Sequence, residues 1–200
     1  MTRSLFNARD LAQPADKMQS SAIDATRTPA KTLRKLCGRE QRCRDVIPRL
    51  ERGALFHIVS AGEWSTHDLV RTLIDQTGPV HLWAASWSMA VHASTRVCTW
   101  RDEGLLLSIN LLLDWRVKVR NPEVAAIVKS QADRVFLSSC HGKVTVLCNE
   151  SWNVSIIGSA NWTNNPRIEA CVLQEDKTIA DFHRNWIERS IAGGQPFEID

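Results

Sequence analysis

The stretch His141-Gly-Lys143-Val-Thr-Val-Leu-Cys148-Asn-Glu-Ser-Trp-Asn-Val-Ser-Ile-Ile-Gly158-Ser159-Ala-Asn161-Trp162-Thr163 decides how this chain is read. Two apolar runs, 142–148 and 154–158, flank a polar interval and are expected to be strands. Side chains two apart on a strand point the same way, so His141 and Lys143 share a face, as do Ser159 and Asn161. The set unites a nucleophile or proton carrier, a fixed cation, a hydroxyl and an amide. Such groups are suited to gripping a phosphodiester and attacking its phosphorus. Imidazole fits because an unperturbed pKa of about 6.5 leaves it neutral and nucleophilic near pH 7.

Outward from this stretch, strand and helix patterns alternate. Strands are expected at 54–60, 80–86, 105–111, 135–138 and 170–173, with 115–119 as a further one. Ser65 or Thr66 caps a helix running to about Gln76, which Gly78-Pro79 ends. Helices are also expected over 89–102, over 123–133 behind Asn121-Pro122, and over 179–191. Several strands are apolar throughout. This favours an α/β fold, a mixed β-sheet with helices on both faces, over residues 53–200. Residues 1–30 lack periodicity and read as a flexible N-terminal arm. Residues 31–52 read as a basic helical segment. No internal duplication is visible.

The 200 residues carry a formal charge of +3, which alone says little about a polyanionic partner. Its distribution says more. Arg27, Lys31, Arg34, Lys35, Arg39, Arg42, Arg44, Arg49 and Arg52 face only Glu40, Asp45 and Glu51 over residues 27–52. Such a block is commonly a solvated face, and it is also what a phosphate-tracking patch requires. No apolar run approaches the roughly 20 residues that span a bilayer. No signal peptide is evident. The six cysteines contain no CxxC pair. A cytoplasmic protein with reduced thiols is expected.

The quoted stretch resembles the HxK…GSxN signature of the phospholipase D superfamily, particularly its bacterial endonuclease-like members. The resemblance is specific over 141–169 and holds for element order over about 53–192. It implies that His141 attacks phosphorus to form a phosphohistidine, which water then releases. Lys143, Ser159 and Asn161 would hold the phosphate oxygens, and Gly158 would let the backbone approach them. Glu169 would orient the imidazole. The superfamily uses two such motifs, and this chain has one. The resemblance therefore implies a homodimer in which two copies of His141 meet, one as nucleophile and one as general acid. No metal or other cofactor is called for, since lysine and amide donors do the work of a divalent ion. The chain departs from the pattern twice. Cys148 stands where the superfamily has aspartate, and about three extra residues near 150–153 separate the motif halves.

The expected partner is nucleic acid, DNA first, with no membrane. Lys31, Arg34, Lys35, Arg39 and Arg42 are its candidate contacts. Trp162 could stack on a base, although core packing explains most of the eight tryptophans. The second reading is a DNA-binding protein, weakly active or inactive, on the same scaffold. The third is a phospholipid hydrolase. Cys140 and Cys148 sit at odd offsets from His141 and should face away from it, as spectator thiols. Cys37 and Cys43 with His57 or His67 fit no standard zinc spacing.

Overall fold

A computed structural model describes residues 32–36, 43–60, 62, 64–164, 166–193 and 195–196, with the backbone alone at 32–36 and 195–196. The expected flexible arm at 1–30 lies outside the described residues. The strands are β1 (Thr32–Leu36), β2 (Leu55–Ser60), β3 (Val80–Ser86), β4 (Leu106–Asp114), β5 (Arg134–Ser138), β6 (Val144–Cys148), β7 (Asn153–Gly158), β8 (Glu169–Glu175) and β9 (Gln195–Pro196). The helices are α1 (Cys43–Val46), α2 (Thr66–Thr77), α3 (Val91–Asp102), α4 (Arg116–Arg120), α5 (Pro122–Gln131) and α6 (Lys177–Gly193). Among the described residues the strands form one nine-stranded mixed sheet in the order β1-β2-β8-β7-β6-β3-β4-β5-β9.

Strand direction decides where function can sit. β3, β4 and β5 run parallel, while β6 lies antiparallel to β3 and β7 antiparallel to β6. β8 is antiparallel to both β7 and β2. The carboxyl ends of β2, β3, β4, β5 and β7 therefore gather at one edge with the amino ends of β6 and β8. In α/β sheets that edge is where ligands bind, because the loops leaving it are free of the packing core.

Both faces are covered, as the continuous apolar strands require. Leu69, Leu73, Val97, Trp100, Val124 and Val128 from α2, α3 and α5 pack with Ile109, Leu111, Leu113 and Leu147 on one face. The other face carries Trp83, Leu112, Val144, Val146 and Cys148 under Ala180, Ile187 and Ile191 of α6. β6 thus alternates, with Leu147 toward the large cluster and its neighbours toward α6. Burying each such Leu or Ile contributes roughly 1.5–3 kcal/mol. Asp68 accepts a hydrogen bond from the Ser65 N–H at the start of α2, at 2.9 Å. Gly78, at φ +76°, stops the helix by donating its N–H to Ile74 O.

Three expectations need correction. The described residues of the segment read as helical over 31–52 contain strand β1, which pairs parallel with β2, and the short helix α1. An available sheet edge outweighs weak helical periodicity. Residues 115–119 are not a strand. β4 continues to Asp114, whose carboxylate accepts the Arg116 N–H at 3.0 Å and turns the chain into α4. α3 begins at Val91, because Met89 is held extended in a bridge to Trp162. The extra residues between the motif halves form a turn. Asn149 Oδ1 accepts the N–H groups of Ser151 and Trp152, and Cys148 pairs with Asn153.

Candidate active site

His141 lies in the connection from β5 to β6, just ahead of the strand, and is exposed. Its position is fixed from behind. The Cys140 N–H donates to Asp114 Oδ2 at 3.3 Å, and Cys140 is buried in the α6-side cluster. Lys143 Nζ donates to His141 O at 2.8 Å and stands 3.4 Å from its Nδ1. The expected pairing of these two side chains is therefore present, made by a loop rather than by a strand face. Burial pushes the Lys143 ammonium below its ordinary pKa, while nearby Glu169 acts in the opposite sense.

The second motif half ends β7 at the same edge. Gly158 N donates to Lys143 O at 3.1 Å, which ties the two halves through the backbone. A Cβ on Gly158 would stand 2.6 Å from Cys171 Cβ and 2.7 Å from Ala170 O, so only glycine lets β7 and β8 close here. That packing role adds to the expected approach to phosphate. Ser159 donates its hydroxyl to the Glu169 carboxylate and its N–H to Ala170 O. Asn161 Oδ1 accepts from Ser86 Oγ at 3.3 Å, and Asn161 O accepts from Thr66 Oγ1 at 3.1 Å. The Asn161 Nδ2 donors thus have no partner among the described residues. A cavity of about 30 Å³ opens beneath this edge between Lys143, Thr145, Gly158, Glu169, Ser60 and Trp64. That is room for about two waters, so a phosphate would sit at its mouth.

Several expectations are altered. Glu169 is bound to Ser159, and no hydrogen bond joins it to His141 among the described residues. The hydroxyl lies nearer because β7 and β8 are paired neighbours. Trp162 is 1% exposed and donates Nε1–H to Thr145 Oγ1 at 3.2 Å, so it is a core pillar with no face for a base. Lys31, Arg39 and Arg42 fall outside the described residues, as do the side chains of Arg34 and Lys35. Cys140 and Cys148 both face α6, away from the exposed His141. Burial raises both thiols, Cys148 to about 11, so neither is a thiolate near neutrality. The position that departs from the motif therefore faces away from the site. Among the described residues no group of three or more His, Cys, Asp or Glu is gathered as metal ligands.

Sequence reasoning missed a cluster on the other side of His141. The Trp87 ring lies 5.7 Å from the His141 ring, centroid to centroid. The Arg116 and Arg120 guanidinium groups lie 5.3 and 5.8 Å from the Trp87 centroid. Arg116 is gripped by Asp114, Nε to Oδ1 at 2.6 Å and Nη2 to Oδ2 at 3.0 Å. Asp114 is fully buried, and the Arg116 hydrogen bonds hold its carboxyl below the usual range. The one available signal was an acid directly after the apolar run 111–113 at the carboxyl end of a strand.

Such an edge, with lysine on histidine and hydroxyl and amide groups beside them, belongs to an α/β protein whose polar side chains gather outside its strand ends. The fold is of the phospholipase D type. It is similar to a phospholipase D family member, Nuc from Salmonella typhimurium, with a TM-score of 0.56 and 18% identity over 74% of this chain and 100% of that one. It is also similar to NucT from Helicobacter pylori, with a TM-score of 0.56 and 12% identity over 71% of this chain and 99% of that one. No family model matches the sequence, and no curated protein matches it. Among the described residues no helix is long and apolar enough to cross a membrane.

Proposed function

We propose that this chain is a phosphodiesterase that cleaves nucleic acid, DNA first, through a covalent phosphohistidine at His141. The observation that carries the reading is the Lys143 ammonium seated on His141 at the ligand-binding edge of a phospholipase D-like sheet. Attack by Nε2 forms the N–P bond and breaks the P–O bond to the leaving strand. A second imidazole gives the leaving alkoxide its proton. Water, giving its proton to that second imidazole, then attacks phosphorus and breaks the N–P bond, which releases the phosphate end and restores neutral His141 and the charged general acid. For Nε2 to attack, Nδ1 must carry the proton. Lys143 therefore leaves His141 for a non-bridging oxygen when phosphate arrives, where it offsets the developing charge. Glu169, whose charge already acts on Lys143, then exchanges Ser159 for the freed ring.

The chain carries one motif, so the second imidazole comes from a second copy, and the active species is a homodimer. The reaction requires no metal ion, because Lys143, Ser159 and Asn161 supply the charge and the donors. Cleavage of plasmid or oligonucleotide should persist in excess chelator and disappear in His141→Ala. An acid-labile phosphoryl adduct on His141 should be trapped on rapid quenching. Loss of cleavage in chelator would replace this mechanism. Salt-sensitive binding without turnover, unchanged in His141→Ala, would favour a DNA-binding protein on the same scaffold. Release of headgroup from vesicles would favour a lipid hydrolase.

A further inference from the structure

The residues that hold His141 also hold something the phosphate chemistry does not use. α4 leaves the carboxyl end of β4 as Trp115-Arg116-Val-Lys118-Val-Arg120. Trp115 is 53% exposed and Val119 71%, beside a turn fixed by the Trp115 N–H on Ser138 O at 3.0 Å. The Arg116 guanidinium sits 5.8 Å from the Trp115 centroid and 5.3 Å from that of Trp87. Trp87 is half-buried and touches His141, so the chain of contacts runs unbroken from the exposed indole to the candidate nucleophile.

The charges along this run are unequal. Buried Asp114 neutralises Arg116 and serves to orient it. Lys118 and Arg120 have no acidic partner within 4 Å among the described residues. A large exposed aromatic, two cations without an acidic partner, one of them resting over Trp87, and a rigid base make the combination that binds single strands. Bases stack on the ring while cations take flanking phosphates. A duplex keeps its bases stacked on one another and offers none to Trp115.

We propose that Trp115, Lys118 and Arg120 bind a single-stranded nucleic acid beside the phosphate held at His141, with a base stacked on Trp115. Arg116, on its Asp114 anchor, positions that platform. The assignment rests on the function proposed above for where the strand enters, yet its test does not depend on turnover.

Binding of a fluorescent oligothymidylate of about a dozen nucleotides is to be measured in the full chain carrying His141→Ala. Adding Trp115→Ala should raise Kd about tenfold, the usual scale for loss of one stacked base. Trp115→Phe, which keeps a ring, should recover most of that loss. Lys118→Ala and Arg120→Ala should each lower the slope of log K against log salt by about 0.7. Lys129→Ala, an exposed cation in the last turn of α5, should leave Kd unchanged. Three outcomes would overturn the proposal. They are a parent that fails to bind the oligonucleotide, a Trp115→Ala change that leaves Kd within twofold, and a Trp115→Ala change that weakens a duplex of equal length as much as the single strand. A chain that binds as described but forms no phosphohistidine would refute the catalytic reading and leave this one standing.

Discussion

The two ends of β6 carry cavities of opposite character. At the amino end the space beneath Lys143 is only about 30 Å³. At the carboxyl end a trough of about 750 Å³ runs past His81, Trp83, Cys148, Asn149, Lys177 and Arg184. Size alone favours the second. Its charges argue the other way. Lys177 and Arg184 both pair with Asp181, and Trp83 Nε1 donates to Glu188. At the Lys143 end the hydrogen bonds of the ammonium among the described residues go to His141 alone, and the Asn161 amide keeps its donors unused there. A polar group already satisfied within the protein gains little from a ligand, whereas an unsatisfied one has everything to gain. The small cavity is the better site for that reason.

The sharpest blow to this comparison is structural. Trp162 pins the amino end through Thr145, so Trp162→Ala should cost about 3–5 kcal/mol in denaturant unfolding. Trp152, half-buried at the other end under Arg52, should cost far less when truncated. Equal losses would mean that the Lys143 end has no special framework. Next comes chemistry. Lys143→Ala should reduce kcat for oligonucleotide cleavage about 100- to 1000-fold, while Arg184→Ala in the larger trough should leave it nearly intact. The reverse result would move the site to the trough.

A smaller effect is expected from acid. His67, buried on α2 next to the cavity-lining Thr66, has its pKa lowered to about 4 by desolvation. Below pH 6.5 the unfolded chain binds a proton that the folded chain refuses. Stability should therefore fall as pH drops from about 6.5 to 4, on the order of 1–3 kcal/mol from this group. His67→Gln should flatten that decline in denaturant titrations at pH 7 and 4.5, and an unchanged slope would show the imidazole to be solvated. The smallest change belongs to the trough. Lys177→Ala should alter stability by less than about 1 kcal/mol, because its partner pair lies at the surface.

Much of the fold was legible in the chain. β3 falls at Val80–Ser86 as its apolar run indicates, and the two motif halves that the sequence reads as one candidate site do end at the same sheet edge. The misses have physical causes. β1 is a strand because β2 offers an edge, which no local pattern records. α4 replaces an expected strand because one carboxylate turns the backbone. Glu169 found Ser159 across a strand pair instead of His141 across the loop. The Asp114 contact with Cys140 spans 26 residues and involves no motif, so only folding reveals it.

That contact has a consequence for anyone altering the protein. One carboxylate steadies both the backbone beside the candidate nucleophile and the guanidinium under the aromatic platform. Its removal would leave Arg116 without its anchor and Cys140 N–H without its acceptor at the same moment. In the function proposed above, grip on the strand and attack on the phosphorus are then coupled at this point, and a redesign aimed at one must carry the other along.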